Sequence, residues 1–323
     1  MVNSDDRCLP LVAVDFDQIR VLLSPVLKGA AIIGVNRVED GLKNTIYRVT
    51  LTDGGGPLCL RIFAAGQPQW EKERKILTHV SGSLPVPDIL LAECGVNSFS
   101  YPYLVYRWIE GITLDECRRK MPPAAFSSLA EPLARLLVSL AGFSFAGILN
   151  DKPENAHTGS VPIMILLAET EERLSRSLAR ARLGSELADS LWRRLEANAA
   201  RLVALDRYTC LVHGDFGGRN ILVAPTNDDR WGISGLIDWE ESYHGSPLWD
   251  VGRLFRYARR YSPNFLERFE CDYRSAGGTL PENWWRIARL LDSTRLVEIL
   301  NEERELPVVF AECRELIEAV VAK

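Results

Sequence analysis

The sequence predicts an α+β fold in which a strand-rich first third precedes a mostly helical remainder. Strand-like segments rich in β-branched residues fill much of the first 110 residues and end in glycine-rich turns. One segment there, 68–80, has helical spacing instead, with apolar residues on one side and charges opposite. After Gly111 the chain is rich in Ala, Leu, Arg and Glu at helical spacing.

These patterns place a boundary between a first domain, 1–110, and a second domain, 111–323. The first is predicted to hold a five-stranded antiparallel sheet and one helix. Its strands are predicted in AIIGVNRVEDG, TIYRVTLTDGGG, LCLRIF, ILLAECG and YPYLVYRWIEG. The second is predicted to hold helices in 124–143, 163–183 and 186–205, a strand-like WGISGLIDW and further helices after Pro247. Pro132 is expected to kink the first of these helices.

The composition is ordinary for a soluble globular protein and is compatible with a cationic small-molecule substrate. The 323 residues are 47% hydrophobic and 25% charged, with a net charge of -5, which argues against nucleic acid as the main partner. No apolar run is long enough to span a bilayer, so no membrane partner is expected. The seven cysteines form no C-x-x-C pair, and the first residues lack the features of a signal peptide. We therefore expect a cytoplasmic protein with reduced thiols.

The segment LVHGDFGGRNILV brings chemically capable residues together in one loop. His213, Asp215 and Asn220 lie in it, and Asp238 follows the next predicted strand in GLIDWEE. If 221–223 and 233–237 pair as a hairpin, Asn220 and Asp238 lie at the same end of it. An amide oxygen and a carboxylate suit Mg²⁺, which takes few protein ligands. Asp215 would then accept a hydrogen bond from an attacking hydroxyl.

Three interpretations of this loop compete. A transition-metal site is disfavoured because the chain has four histidines, none with the i, i+4 spacing of a helix-borne zinc site. His213 and Asp215 could instead only stabilise the loop through backbone hydrogen bonds. A phosphotransfer loop, H-x-D-x-x-x-x-N followed by a metal-binding Asp, explains every polar residue at its offset. We favour this third interpretation because so many matches rarely coincide by chance.

The pair HGDFGGRN and LIDWE closely resembles the aminoglycoside phosphotransferase family, whose small-molecule kinases are similar to protein kinases in fold. Weaker matches in the family's order extend the resemblance over roughly residues 35 to 260. The resemblance implies a protein-kinase-like two-lobed fold, with a small β-rich N-lobe that binds nucleotide and a larger, mostly helical C-lobe. It also implies Mg²⁺ and ATP as cofactors, bound between the lobes. The sequence does not distinguish ATP from GTP.

The family's catalytic roles transfer to matching positions of this sequence. Asp215 would position or deprotonate the acceptor hydroxyl, and Asn220 and Asp238 would hold Mg²⁺. His213 and Asp250 would brace the catalytic loop rather than contact substrate. The resemblance thereby assigns a role to each polar residue of the loop.

The nucleotide-binding roles transfer less uniformly. Arg61 stands where kinases commonly place the lysine that contacts phosphates, and Glu73 would pair with it. An arginine fork can also bind phosphate oxygens, although a strand arginine without a role is the alternative. The backbone near Arg107 and Ile109 would receive the adenine. The phosphate neighbours expected in the covering hairpin are Gly41, Lys43 and Asn44.

The expected activity is phosphorylation of a small-molecule hydroxyl, most readily on an aminoglycoside or related antibiotic, as in resistance-type phosphotransferases. Glu240 and Glu241 could bind an ammonium group of a cationic acceptor or could be solvated loop acids. The alternatives are a metabolite kinase acting on an amino alcohol or a sugar, and a nucleotide-binding pseudokinase. The sequence carries no signal for an oligomeric state.

Overall fold

The computed structural model describes residues 9–38, 43–52, 54–96, 99–122, 126–144, 161–227 and 230–322. The strands are β1 (Ile32–Val38), β2 (Thr45–Leu51), β3 (Leu58–Ile62), β4 (Ile89–Val96), β5 (Phe99–Arg107), β6 (Ile112–Thr113), β7 (Cys210–Val212), β8 (Ile221–Pro225), β9 (Trp231–Leu236) and β10 (Tyr243–Gly245). The α-helices are α1 (Phe16–Leu27), α2 (Gln67–Val80), α3 (Leu114–Lys120), α4 (Ala130–Ala141), α5 (Ile163–Arg176), α6 (Leu178–Leu183), α7 (Ser185–Ala197), α8 (Ala199–Val203), α9 (Leu248–Leu254), α10 (Pro263–Ser275), α11 (Trp284–Leu300) and α12 (Pro307–Val321).

The chain forms two compact units, and the first is not continuous in sequence. It comprises residues 1–112 together with 221–224 and 233–240. The second comprises 113–220, 225–232 and 241–323. Strands β8 and β9 are neighbours in a three-stranded sheet ordered β6-β8-β9, which is the pairing expected from the sequence. The segment 233–240 carries Asp238 and Glu240, so these acids belong to the first unit together with Arg61.

A five-stranded antiparallel sheet organises the first unit, in the order β1-β2-β3-β5-β4. Its central strand β3 is buried along its whole length. Successive side chains of a strand point to opposite faces, and Leu58, Leu60 and Ile62 accordingly belong to one hydrophobic core. Arg61 lies on the other face, where it meets Glu73 of α2. The alternation of β3 thus places a charged side chain at the centre of the sheet.

The sequence analysis missed helix α1, which covers the core face of this sheet. Asp15 caps it by a reciprocal capping box, because the Asp15 carboxylate accepts from Gln18 N at 2.8 Å and Gln18 Oε1 accepts from Asp15 N at 2.9 Å. Ile19, Leu22 and Leu23 of α1 are buried in the core of β2, β3 and β5. The first unit therefore has a second helix beside α2.

The second unit is mostly helical, and one helix predicted from the sequence is divided in two. The segment predicted as one helix over 163–183 breaks at Ser177, whose backbone is extended, and whose hydroxyl accepts from Ala179 N to cap the next helix. Pro132, which was expected to kink a helix over 124–143, lies in the first turn of α4. The helix begins at Ala130, and in its first turn no intrahelical N–H bond is lost.

The helix that follows the loop region, α9, is fixed by its buried neighbours. Its residues Asp250, Val251 and Gly252 are buried, and just beyond its end Arg256 makes a two-point ion pair with Asp292 of α11. The Nε–Oδ2 and NH2–Oδ1 distances are 2.8 and 2.6 Å. Because this pair is buried and doubly hydrogen-bonded, α9 is held firmly where it presents Asp250 and Arg253 to the loop.

Among the described residues, no helix combines the length and the apolar character that a membrane span requires.

Candidate functional site

Arg61 is the centre of a charged cluster in the first unit. Its NH2 group lies 3.2 Å from Glu73 Oε2, 2.6 Å from Asp238 Oδ1 and 3.4 Å from Glu240 Oε2. The Arg61 side chain is 5% exposed, and that of Glu73 is 1% exposed. We call Arg61, Glu73, Asp238, Glu240 and their contacts Lys43, Asn44 and Lys72 the Arg61 cluster. Arg61 is therefore not a half-exposed strand residue without a partner.

Burial and charge act in opposite directions on the ion pair at the base of this cluster. Burial raises the pKa of Glu73 to about 8, although the neighbouring Arg61 guanidinium opposes this rise. Burial also disfavours the charge of Arg61, but the surrounding carboxylates, Glu73 first, raise its pKa above the ordinary value. Arg61 thus remains a cation, and burial favours the protonated form of Glu73 beside it.

Asp238 follows β9 in an unusual backbone conformation. Its φ is 68°, in the left-handed region that non-glycine residues rarely adopt. Its carboxylate is one-third exposed while also accepting the 2.6 Å contact from Arg61. A left-handed aspartate that is both ion-paired and open to solvent is typical of residues held for function rather than for packing.

Glu240 is not the solvated acid that one interpretation of the sequence expected. Its side chain is 8% exposed. Its Oε2 accepts from Asn44 Nδ2 at 2.8 Å, its Oε1 lies 3.0 Å from Lys43 Nζ, and its main-chain oxygen accepts from Lys72 Nζ at 2.8 Å. The structure therefore places Glu240 among the cationic groups of the Arg61 cluster. Glu241 belongs to the second unit, where its main-chain carbonyl lies against Gly214.

The predicted catalytic loop lies in the second unit and joins three polar side chains. Asn220 Nδ2 donates to the main-chain oxygen of Asp215 at 2.9 Å and to Asp215 Oδ2 at 2.8 Å. Arg253 Nε donates to Asp215 Oδ1 at 2.6 Å, and its NH2 group contacts the same oxygen. Asp215 is thus held at both carboxylate oxygens while staying about one-third exposed.

Asp250 holds the backbone that leads into this loop. Its Oδ2 accepts from His213 N at 2.8 Å, and its Oδ1 accepts from Gly214 N at 3.0 Å. His213 is fully buried, and its Nδ1 accepts from Asp215 N at 3.3 Å. Both Asp250 and His213 therefore contact the loop's main chain.

Two glycines of the loop are required for different reasons. Gly214 has a φ of 79°, and a Cβ there would lie 2.2 Å from the main-chain oxygen of Glu241. Gly218 has an ordinary φ, but a Cβ there would lie 2.6 Å from Asp115 Oδ1. The first glycine permits a turn, and the second permits a close approach of Asp115, whose N donates to Gly218 O.

The remaining predicted nucleotide contacts lie near the end of β5. Arg107 pairs with Leu58 of β3, and its NH1 donates to Gly55 O at 3.3 Å. Ile109 packs over Gly235, where a Cβ would lie 2.9 Å from its side chain. Gly41 lies outside the described residues.

Sequence reasoning missed Arg253 and Lys72. Arg253 follows Asp250 by three residues on α9, a spacing that places both side chains on one helical face. Since Asp250 was expected at the loop, that spacing could have predicted Arg253 there too. Lys72 precedes Glu73 in the run EKERK, and the alternating charges of this run do not distinguish Lys72 from a solvated lysine.

A sequence model of the phosphotransferase enzyme family matches residues 34–288. The chain belongs to this family. The membership confirms the resemblance drawn from HGDFGGRN and LIDWE. The family match also includes both the Arg61 cluster and the Asp215 loop.

Two curated relatives of this phosphotransferase-family chain are antibiotic phosphotransferases by name. This chain is 25% identical over 206 residues to hygromycin-B 4-O-kinase of Escherichia coli, and the alignment covers 62% of this chain and 56% of the relative. It is also 30% identical over 155 residues to viomycin phosphotransferase of Streptomyces vinaceus, and that alignment covers 47% of this chain and 49% of the relative. The chain therefore aligns with about half the length of these relatives.

Solved structures confirm the kinase-like α+β fold of this family member. One of them is a thermostable mutant of aminoglycoside phosphotransferase APH(4)-Ia in a ternary complex with AMP-PNP and hygromycin B. It superposes on this chain with a TM-score of 0.63 at 19% identity, and the superposition covers 94% of this chain and 97% of that chain. Choline kinase LicA from Streptococcus pneumoniae superposes with a TM-score of 0.62 at 15% identity, with the same coverage. At these identities the likeness establishes the fold.

Two oxygen atoms of this phosphotransferase-family chain have the chemistry of ligands for a hard cation. The described residues contain no group of three or more His, Cys, Asp or Glu side chains arranged to hold a metal. Mg²⁺ needs only one or two protein oxygens and keeps water and phosphate as its other ligands. Asn220 donates through Nδ2 to Asp215, which leaves its amide oxygen as an available ligand, and Asp238 offers a partly exposed carboxylate.

The burial of Asp250 predicts a pH-dependent stability. Burial raises the pKa of Asp250 to about 7 from the ordinary 3.8, although the N–H groups of His213 and Gly214 oppose the rise. The folded state then keeps a proton that the unfolded state loses, so this contribution is full below about pH 4 and is lost as the pH rises through 7. We expect the free energy of unfolding of the wild type, relative to Asp250→Asn, to fall by on the order of 2 kcal/mol between pH 5 and pH 8.

Urea denaturation of both proteins across this pH range measures the difference. Asp189→Asn, at an exposed acid of the same unit, serves as the control and should follow the wild type. A wild-type-to-Asp250→Asn difference that stays constant from pH 5 to pH 8 would contradict a raised pKa at this position.

Proposed function

We propose that this protein transfers the γ-phosphoryl group of ATP to a hydroxyl of a small molecule. The observation that most supports this proposal is that Asp215 accepts hydrogen bonds at both carboxylate oxygens, from Asn220 at one and from Arg253 at the other. Fixing both oxygens orients the remaining lone pairs, and a carboxylate keeps acceptor capacity beyond two hydrogen bonds. A partly exposed, pre-oriented acceptor is what a hydroxyl needs in order to be aligned for phosphoryl transfer.

In the proposed reaction the acceptor hydroxyl donates a hydrogen bond to Asp215. As the hydroxyl oxygen forms its bond to the γ-phosphorus, the bond from that phosphorus to the β,γ-bridging oxygen breaks, and ADP leaves. The hydroxyl proton passes to the Asp215 carboxylate. Asn220 and Arg253 keep the carboxylate in place during this step, so their role is positioning.

We assign the phosphates and Mg²⁺ to the other residues of the two sites. Arg61, Lys43 and Asn44 would bind phosphate oxygens, because cations and amide donors suit that charge. Asp238 and the amide oxygen of Asn220 would hold Mg²⁺, which when bound neutralises charge on the β- and γ-phosphates. The main chain near Arg107 and Ile109 would receive the purine.

Replacing Asp238 tests the metal assignment. We expect Mg²⁺ to tighten ADP binding to the wild type by at least about tenfold, and to have no such effect on Asp238→Ala. Calorimetric titration of ADP with and without Mg²⁺ gives this ratio for each protein. If Asp238→Ala retains the wild-type ratio, Asp238 is not a metal ligand.

The names of the relatives support a choice of acceptor class. We propose an aminoglycoside or related antibiotic, since the two curated relatives are named for hygromycin B and viomycin. Incubation with Mg²⁺ and either ATP or GTP, against a panel of hygromycin B, viomycin, choline and a hexose, is followed by mass spectrometry. A product heavier by one phosphoryl group on an antibiotic supports the proposal. Such a product only on choline or hexose identifies a metabolite kinase, and nucleotide binding without any product identifies a pseudokinase.

A further inference from the structure

The side chain of Glu240 contacts donor groups that the proposed function assigns to nucleotide phosphates. Its two carboxylate oxygens lie 2.8 Å from Asn44 Nδ2, 3.0 Å from Lys43 Nζ and 3.4 Å from Arg61 NH2. Lys43 and Asn44 lie just before β2, and Arg61 lies in the central strand β3, whereas Glu240 is at least 179 positions away from each of them in sequence. One buried carboxylate therefore engages all three of these phosphate-binding candidates.

A carboxylate and a phosphate bind to the same kinds of hydrogen-bond donor. Both present anionic oxygens that accept short, charge-assisted hydrogen bonds from lysine, arginine and amide groups. Two anions cannot share these donors without strong repulsion, because charges near a partly buried site are poorly screened. A nucleotide phosphate and the Glu240 carboxylate must therefore compete for them.

We propose that Glu240 is an internal substitute for the nucleotide's phosphates, which a nucleoside di- or triphosphate displaces when it binds. This inference rests on the proposed function, because it takes the nucleotide as the incoming ligand. In the nucleotide-free protein, the carboxylate keeps Lys43 and Arg61 paired and so limits the cost of holding these cations away from water. The apparent affinity for nucleotide is then reduced by the fraction of molecules in which Glu240 occupies the site.

The main chain of Glu240 is anchored independently of its carboxylate. Lys72 Nζ donates to the main-chain oxygen of Glu240 at 2.8 Å. The side chain can therefore rotate away from Lys43 and Asn44 while the backbone, and with it Asp238, keeps its place. For the same reason, a substitution that alters only the carboxylate leaves this anchor intact.

The test is ADP binding in the absence of Mg²⁺, which removes any contribution of metal ligation. Glu240→Gln keeps the shape of the side chain but loses its charge, and Glu240→Asp keeps the charge but is one methylene shorter. We expect Glu240→Gln to bind ADP at least about fivefold more tightly than the wild type, and Glu240→Asp to bind more tightly by a smaller factor. The matched control is Glu71→Gln, which removes a half-exposed carboxylate of α2 that pairs with Lys75 one helical turn away. This variant should bind ADP as the wild type does.

Each outcome of the ADP titrations supports or overturns the displacement of Glu240 by nucleotide phosphates. Unchanged or weaker ADP binding by Glu240→Gln overturns the inference and leaves the proposed function standing. Tighter binding by Glu240→Gln together with wild-type binding by Glu240→Asp also overturns it, because loss of charge rather than loss of contact would then explain the gain. If no protein binds ADP, the proposed function fails, and inorganic pyrophosphate decides the inference alone. Pyrophosphate should raise the melting temperature of Glu240→Gln more than that of the wild type, and an equal rise overturns the proposal.

Discussion

Asp215→Asn is expected to lower kcat for phosphoryl transfer by about 10²–10⁴-fold while leaving ADP affinity unchanged. The asparagine keeps the size of the side chain and can still accept a hydrogen bond from Asn220 or Arg253. It cannot take the proton of the acceptor hydroxyl, and it no longer attracts the Arg253 cation. Steady-state kinetics on the best acceptor of the panel, together with calorimetry of ADP, separate the chemical step from nucleotide binding.

The control for this substitution is Asp189→Asn, at an exposed aspartate of the same unit that pairs with Arg180. It should change neither kcat nor affinity, since an exposed ion pair contributes little to stability and this one involves no residue of the loop. A wild-type kcat in Asp215→Asn would exclude Asp215 as the group that receives the hydroxyl proton.

Arg61→Met is expected to lower the free energy of unfolding by about 3–5 kcal/mol. The substitution leaves the buried carboxylates of Glu73 and Glu240 without the cation that contacts both. The pKa of Glu73, already raised to about 8 by burial, rises further without Arg61, so uptake of a proton by Glu73 limits the loss. Urea denaturation at pH 9, above the pKa of Glu73 in the wild type, measures the change.

A double-substitution cycle identifies the source of this effect. Arg61→Met with Glu73→Gln should recover at least about 1 kcal/mol relative to Arg61→Met alone, because the unpaired carboxylate is removed. Arg20→Met, at an exposed arginine of α1 paired with Asp17, should change stability by less than about 1 kcal/mol. If Arg61→Met is no more destabilising than Arg20→Met, the Arg61 ion pairs contribute nothing to the fold.

The fold class was predictable because composition and periodicity are local properties. The β-branched residues of TIYRVTL, the glycine-rich turn after it and the helical spacing of 68–80 are visible in short windows of sequence. Helix α1 was missed although its signal is equally local, since Asp15 and Gln18 have the spacing of a capping box. The breaks at Ser177 and Asn198 were not predicted, because helix-favouring residues continue on both sides of each.

The candidate site was predictable to the extent that its residues share one motif. Asp215 and Asn220 are five residues apart, and a fixed loop brings their side chains into contact. Arg253 and Glu240 reach their contacts through tertiary packing, with 38 residues between Arg253 and Asp215 and 196 between Glu240 and Asn44. No local pattern specifies such contacts, so the surroundings of Glu240 could not be predicted from GLIDWEE alone.

The discontinuity of the first unit has a consequence for how the chain matures on the ribosome. Residues 1–112 contain Arg61, Lys43 and Lys72, but the segment 233–240 that supplies Asp238 and Glu240 is synthesised more than a hundred residues later. Domains usually fold as units during synthesis, in the order in which they emerge. Here the amino-terminal sheet can form early, yet its cations meet their late acidic partners only after most of the helical unit has been translated. In a nascent chain that stops short of residue 238, Glu73 would be the one carboxylate of the Arg61 cluster present to pair with Arg61.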